Sequence, residues 1–219
     1  YIRYREDNKI FFTAATIETL KNTVNSFKAL WGLKLSSIKT YNIQEIIDSL
    51  YKKNFKVSTI NAKMTYLNML FNSAVNKYRI ISSNPAKNVK LKKEKTEVKR
   101  RALEDNEVNE LLQALKEDRE IYYMAVLTIV TTGIRIGECL GITKSDIDFD
   151  NKQLKINKQY KNLGNGTWGL GVLKSRNGNR ILPLPSSTIE ALKIYLKNNT
   201  TAPDGRIFNV GETKSFQSS

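Results

Sequence analysis

Histidine is absent from the 219 residues, and cysteine occurs once, as Cys139. Without an imidazole, neither a Ser-His nor a Cys-His nucleophile pair can be assembled within the chain. One thiol and no imidazole leave too few ligands for a zinc centre, and no metal or other cofactor is expected. A lone cysteine excludes an internal disulfide and suits a reducing compartment. Long apolar runs are missing too; none approaches the roughly 18 to 20 residues of a bilayer-spanning helix. The opening Tyr1-Ile-Arg-Tyr-Arg lacks the apolar stretch of a secretory leader. It also lacks an initiator Met, which reads as the start of a fragment.

Acidic residues are scarce, and unevenly so. Residues 1–101 carry 21 Lys and Arg against 7 Asp and Glu, a net of +14, whereas residues 102–219 carry 15 against 14. A strongly basic half beside a nearly neutral one points to a polyanionic partner gripped by the first half. A membrane surface is the weaker reading, because no basic amphipathic helix with Trp or Phe on its apolar face stands out. Hydrophobic residues make up 40% of the chain, enough for true cores in one large domain or two modest ones.

The apolar positions Ile17, Leu20, Val24, Phe27 and Trp31 recur at helical spacing, which predicts a helix from Thr16 to about Leu30 that Gly32 stops. Asn42 and Glu45 fit a capping box for a helix to about Lys53 with Ile43, Ile46, Ile47 and Leu50 inward. Ser58 is the expected N-cap of a long helix to about Tyr78. Its inner stripe is Ile60, Met64, Leu67, Phe71, Ala74, Val75 and Tyr78. Asn61, Thr65, Asn68, Asn72 and Asn76 form an opposite face poor in acids, with Lys63 near its start. That face is either plainly solvated or able to lie against a polyanion without repulsion. Asn84-Pro85 breaks the helical run. Residues 84–101 then hold eight basic and two acidic residues with little apolar periodicity, either a flexible charge run or a strap along a phosphate backbone.

Beyond the linker, an acidic first turn at Glu104-Asp105 suits a helix N-terminus, with Val108, Leu111, Leu112 and Leu115 inward. Ile121 to Val130 reads as a buried helix that Gly133 ends. A short helix carrying Arg135 and Glu138 three residues apart follows, anchored by Ile134, Ile136, Leu140 and Ile142. Leu154 to Tyr160 alternates as a half-buried strand does, and Gly164-Asn-Gly166 is a turn. Trp168 to Leu173 and Arg180 to Leu184 are predicted as the arms of a hairpin turned at Asn177-Gly178, with Lys174 at its edge. Ser186 or Ser187 caps a final helix with Ile189, Leu192 and Leu196 inward; Tyr195 lies beside that stripe and is expected to pack. Asp146-x-Asp148-x-Asp150 is superficially a calcium loop, but Asn151 and Asn157 stand where its Gly and bidentate Glu belong. Those acids are expected to cap and turn.

An Arg–Glu pair at i,i+3 is commonly a surface ion pair of small value. Here it stands in Thr131-Thr-Gly-Ile-Arg-Ile-Gly-Glu-Cys-Leu-Gly-Ile-Thr-Lys-Ser-Asp-Ile-Asp148, which resembles the first signature box of the tyrosine recombinases, the phage and transposon integrases. Lys174-Ser-x-x-x-x-Arg180-x-x-Pro-Leu resembles their second box, with Ser175 where Thr is more usual. More loosely, Ser58-Thr-Ile-Asn61, Leu70-Phe-Asn-Ser-Ala74 and Ser83-Asn-Pro-Ala86 resemble their small helical core-binding domain.

The resemblance runs from about Thr16 to Phe208. It implies a mainly α fold with a small antiparallel β-sheet. Residues 1–86 would be the core-binding helical bundle, 87–101 a basic linker, and 102–219 the first part of a mixed α/β catalytic domain. It implies site-specific DNA recombination and integration through a 3′-phosphotyrosyl intermediate. Arg135 would be the first catalytic arginine, Lys174 the general acid and Glu138 a supporting acid. A grip on double-stranded DNA is expected from Lys56, Ser58, Asn61, Lys63, Lys87, Lys90, Lys92, Lys93, Lys99, Arg100 and Arg101. The family's His-x-x-Arg box and nucleophilic Tyr have no match within the 219 residues, so this stretch is expected to bind DNA without cutting it. A homotetramer on DNA and a cytoplasmic, nucleoid-associated protein of bacterial or phage origin are also implied. Two other readings are weighed. A DNA-binding regulator or architectural protein explains the charge split but not Arg135, Glu138 and Lys174 in family order. A strand-swivelling topoisomerase shares the chemistry but usually not the Asp-Ile-Asp spacing.

Overall fold

The computed structural model describes residues 14–93, 101–164 and 166–210. The fold is mainly helical with two small antiparallel sheets. It divides into two compact units, residues 1–100 and 101–219.

The first unit is built from α1 (Ala14–Ser26), α2 (Thr40–Lys52) and α3 (Val57–Asn76), with 3-10 turns at Lys28–Leu30 and Leu35–Ser37. Phe27, Ile43, Ile47, Ile60, Met64, Leu67 and Phe71 form its core. The expected helix to Leu30 stops at Ser26. There the Phe27 amide bonds the Val24 carbonyl at 3.0 Å, and this tighter winding lets both Phe27 and Leu30 reach the core. Trp31, predicted to close the inner stripe, is exposed as a result. Asn42 is not an N-cap. It sits at the third helical position of α2, and its Oδ1 accepts the Lys39 amide at 3.0 Å. Ser58 is not the cap of α3 either, because Lys56 is already extended and its carbonyl accepts the Ile60 amide. α3 ends at Asn76, which leaves Tyr78 exposed rather than in the buried stripe.

Residues 84–92 lie along α2. Ala86 is buried, Gln44 exchanges two hydrogen bonds with the backbone of Lys90, and the Lys92 amide donates to the Tyr51 hydroxyl at 2.9 Å. The first residues of the predicted basic strap are therefore seated on the helical unit.

The second unit begins with α4 (Asp105–Asp118) and α5 (Glu120–Thr132), followed by the short α6 (Ile136–Cys139), β1 (Ile147–Asp148), β2 (Gln153–Ile156), β3 (Lys158–Gly164), β4 (Thr167–Val172), β5 (Arg180–Pro183) and α7 (Ser186–Asn198). The core joins Met124, Ala125, Ile134, Leu140, Leu154, Ile156, Leu192, Tyr195 and Phe208. α4 and α5 are less buried than their sequence suggests. No residue of α4 is fully buried, Leu111 and Val130 are exposed, and α5 buries only Met124, Ala125 and Thr128. α7 starts at Ser186, with Pro185 rather than a serine at the N-cap.

The predicted hairpin of residues 168–173 with 180–184 does not form. β4 pairs instead with β3, and β5 pairs with β2, Leu154 facing Leu182 and Ile156 facing Arg180. A two-residue Asn-Gly turn needs positive φ at both residues. Neither Asn177 nor Gly178 has it; the Gly178 amide closes a 3-10 turn on the Ser175 carbonyl. The single predicted strand from Leu154 to Tyr160 is broken at Asn157, whose side-chain amide is drawn to Asp146 at 3.0 Å.

Candidate functional site

α5 ends where Gly133 adopts left-handed φ of 67° and bonds the Ile129 carbonyl. That turn aims the chain into α6, and Arg135 is its N-cap residue rather than part of the helix. The segment is held from beneath. Ile134, Cys139 and Leu140 are buried. Gly137 and Gly141 lie so close to β3 that an added Cβ would meet the Tyr160 carbonyl at 3.1 Å and the Gln159 Cα at 2.9 Å. Both glycines are used for close approach.

Glu138 is 3% exposed and Arg135 is 78% exposed. The buried carboxylate accepts the Arg135 amide at 3.1 Å and Arg135 Nη1 at 2.9 Å. It also takes a two-pronged fork from Arg180, Nη1 at 3.3 Å and Nη2 at 2.8 Å. Burial pushes the Glu138 carboxyl up, but the bonds from Arg180, the Arg135 amide and the Arg135 guanidinium outweigh it and hold the group below its ordinary range. One buried anion between two cations leaves the cluster at +1. Only one guanidinium nitrogen of Arg135 engages Glu138, and the remaining donors face outward, as an oxyanion ligand requires.

Lys174 is exposed between β4 and the 3-10 turn Arg176–Gly178, and it forms no hydrogen bond or ion pair among the described residues. Six residues on, Arg180 opens β5 and binds Glu138. Arg180 thus ties the start of β5 to the Arg135 turn through one carboxylate. Arg180 was visible in the sequence as a motif letter, but its ion pair was not. The available signal was the buried acid of the first box, which requires more countercharge than an exposed arginine supplies.

Asp146 is likewise a framework group. It is buried and accepts the Thr143 amide at 2.8 Å, the Thr143 hydroxyl at 2.7 Å, Asn157 and the Lys158 ammonium. Asp148 accepts the amides of Asp150 and Asn151, so these acids cap and turn. Among the described residues no group of three or more His, Cys, Asp or Glu is arranged to hold a metal ion. Arg206 is buried, stacked 3.7 Å over Tyr160 and bound to Asp204, a packing role. Tyr195 is also a packing residue, its hydroxyl donating to the Ile207 carbonyl.

The residues expected to grip DNA fall in several places. Lys56, Ser58 and Asn61 are exposed around the start of α3. Lys63 is half-buried, and its ammonium bonds the Ser26 hydroxyl at 2.7 Å. Lys87, Lys90, Lys92 and Lys93 are exposed on the strip along α2, where the Lys92 ammonium also stacks 4.7 Å from the Tyr51 ring. Arg101 forks onto Glu107 with both bonds at 2.6 Å. Lys99 and Arg100 lie outside the described residues. Asn68 and Asn72 both accept from the Asn84 amide, so that stretch of the polar face ties down the loop after α3.

Residues 101–213 match the model of the phage integrase family. The chain belongs to that family, the tyrosine recombinases. It is 32% identical over 177 residues to a tyrosine recombinase XerC-like protein of Caldanaerobacter subterraneus subsp. tengcongensis, a match covering 75% of this chain and 44% of the relative. It is 25% identical to the transposase of transposon Tn916 from Enterococcus faecalis, covering 75% and 41%. The chain thus spans less than half the length of these curated relatives. Its fold is similar to the Tn1549 transposon integrase solved with transposon right end DNA, with a TM-score of 0.77, 21% identity, and 94% of this chain and 67% of that one covered. It is also similar to a lambda integrase tetramer bound to a Holliday junction, with a TM-score of 0.67, 17% identity, and 94% and 56% covered. In this tyrosine recombinase, no described helix is long and apolar enough to cross a membrane.

Proposed function

We propose that the chain is the DNA-gripping and phosphate-activating part of a site-specific recombinase or integrase that works on double-stranded DNA. Residues 1–86 act as the core-binding domain, 87–101 as a basic strap, and 102–219 as the upstream part of the catalytic domain. The observation that carries the reading is the exposed Arg135 fork beside a fully compensated Glu138. A surface pair would be neutral and loosely placed; this one has net positive charge and a buried anchor.

In the proposed reaction a Tyr hydroxyl attacks the scissile phosphorus, forms the 3′-phosphotyrosyl ester and expels the 5′-oxygen. Arg135 stabilises charge on the nonbridging oxygens. Lys174 gives its proton to the departing 5′-oxygen. Glu138 orients Arg135. The attacking Tyr and a second arginine are supplied from outside the 219 residues, which hold no histidine and no His-x-x-Arg box. The 219 residues by themselves bind duplex DNA without cutting it. The whole protein assembles as a tetramer on two duplexes in the bacterial cytoplasm.

The test is a suicide substrate bearing the element's own site, incubated with the whole protein. A covalent protein–DNA adduct is expected. Arg135→Lys is expected to abolish the adduct on the wild-type timescale, leaving at most a trace on long incubation, while DNA binding stays within about twofold, since a lysine keeps the charge but loses the fork. Absence of any adduct from the wild-type protein refutes the reading in favour of a DNA-binding regulator. Equal loss of binding and cleavage assigns Arg135 a structural role.

A further inference from the structure

We infer that Arg180 is a positioning residue that keeps Arg135 free for the scissile phosphate by neutralising Glu138 from the other side. The inference rests on the function proposed above and adds a residue to it.

Three observations carry it. Glu138 is almost fully buried, so its charge must be met within the protein. Arg180 meets it with both terminal nitrogens, whereas Arg135 uses one guanidinium nitrogen and its backbone amide. Arg180 is itself only 28% exposed and is held in place by a further bond from Nη1 to the Gly178 carbonyl at 2.9 Å. The guanidinium is therefore committed to Glu138 and is not displayed to solvent as Arg135 is.

The consequence follows from charge and geometry. Glu138 with Arg135 alone is a neutral pair, and a phosphate approaching it gains little. The buried carboxylate would also draw the Arg135 fork inward to satisfy its vacant lone pairs. With Arg180 present the cluster carries +1 and Arg135 keeps its outward donors. Arg180 also opens β5, registered against Ile156 of β2, so the same ion pair fixes the strand that follows the Lys174 turn.

Single-turnover cleavage of the suicide substrate by the whole protein tests this, with DNA affinity measured alongside. Arg180→Met is expected to slow cleavage about 10²-fold, the scale of a misplaced reacting group, while affinity changes less than about twofold. Arg180→Lys, which keeps one charged bond to Glu138, is expected to recover part of the rate; it also serves where the Met variant does not fold. Arg135→Lys combined with Arg180→Met is expected to be no slower than Arg135→Lys alone, because Arg180 acts only through that site. Wild-type cleavage rates in both Arg180 variants overturn the inference and leave the recombinase reading intact. Multiplying losses in the double variant, read against residual cleavage by Arg135→Lys on long incubation, overturn it by making Arg180 a direct substrate ligand. A wild-type protein that forms no adduct overturns both.

Discussion

The three charges around Glu138 are not equally buried, so their removal should not be equally costly. Arg180→Met leaves a carboxylate that is 3% exposed with Arg135 as its remaining cation. Breaking a buried pair from one side costs about 3–5 kcal/mol, and the surviving Arg135 bonds place this case near the low end, at about 3 kcal/mol. Glu138→Gln leaves two guanidinium groups near the surface, which can turn to water, and the glutamine oxygen still accepts. The loss is then that of a charge-assisted hydrogen bond, about 1.5–2 kcal/mol. Arg135→Met removes a largely exposed partner and should cost no more than about 1 kcal/mol. The order is Arg180→Met, then Glu138→Gln, then Arg135→Met. Urea unfolding followed by tryptophan fluorescence measures it, because the two tryptophans, Trp31 and Trp168, fall in different units. A Trp31→Phe background leaves Trp168, which packs on the second core, as the reporter. The comparison holds if the urea m-values agree among variants. Glu138→Gln destabilising as much as Arg180→Met would refute the claim that the carboxylate is the buried member requiring compensation.

Other expectations follow from the same packing and charges. Gly141→Ala would set a Cβ 2.9 Å from the Gln159 Cα and 3.0 Å from the Tyr160 nitrogen, both backbone, so β3 must move. A loss of about 1–3 kcal/mol is expected for the second unit, read as a lower urea midpoint at unchanged m. Glu138 and Asp146 are both held below their ordinary range in the fold, Glu138 by the arginines and Asp146 by Lys158 and Thr143, each against the upward push of burial. Their contribution is complete above the unfolded carboxylate range of about 4 and is lost as pH falls through the lower folded values. Acid unfolding of the second unit should therefore steepen below about pH 4, and Glu138→Gln should flatten that limb. Replacing Lys87, Lys90, Lys92 and Lys93 by Gln should make the fall of DNA affinity with log salt shallower by about 0.9 for each lysine that meets a phosphate; an unchanged slope removes the strip from the interface.

Helices were legible where periodicity and punctuation agreed. The stripe from Ile60 to Ala74 is the inner face of α3, and Gly133 ends α5 in the left-handed conformation its type allows. Cap identities were less legible, since an extended lysine or proline serves as N-cap when its carbonyl is already placed. Strand pairing is less legible, because Asn177-Gly178 is a local signal and it loses to the longer-range match of β5 with the buried Leu154 and Ile156 of β2. At the candidate site, Arg135, Glu138 and Lys174 rest on motif resemblance. The ion pair of Arg180 with Glu138 spans 42 residues and is a product of folding. No spacing rule encodes it.

The division of labour within the charge cluster also bears on how an exposed side chain can be aimed at all. Arg135 has most of its surface in water and, among the described residues, only one side-chain bond, to Glu138. Its direction cannot come from packing around the guanidinium. It comes from what fixes the backbone beneath: a left-handed Gly133 on one side, buried Ile134 and Cys139 next to it, and Gly137 and Gly141 pressed on the β3 main chain. Glu138 then converts that backbone precision into side-chain orientation by binding the amide and the guanidinium of the same residue at once. A carboxylate doing this must be rigid, and Arg180 makes it so. The arrangement separates an exposed cation from a more enclosed one that is bonded on both terminal nitrogens. On that argument Arg180 is the residue whose loss should be felt at the Arg135 guanidinium.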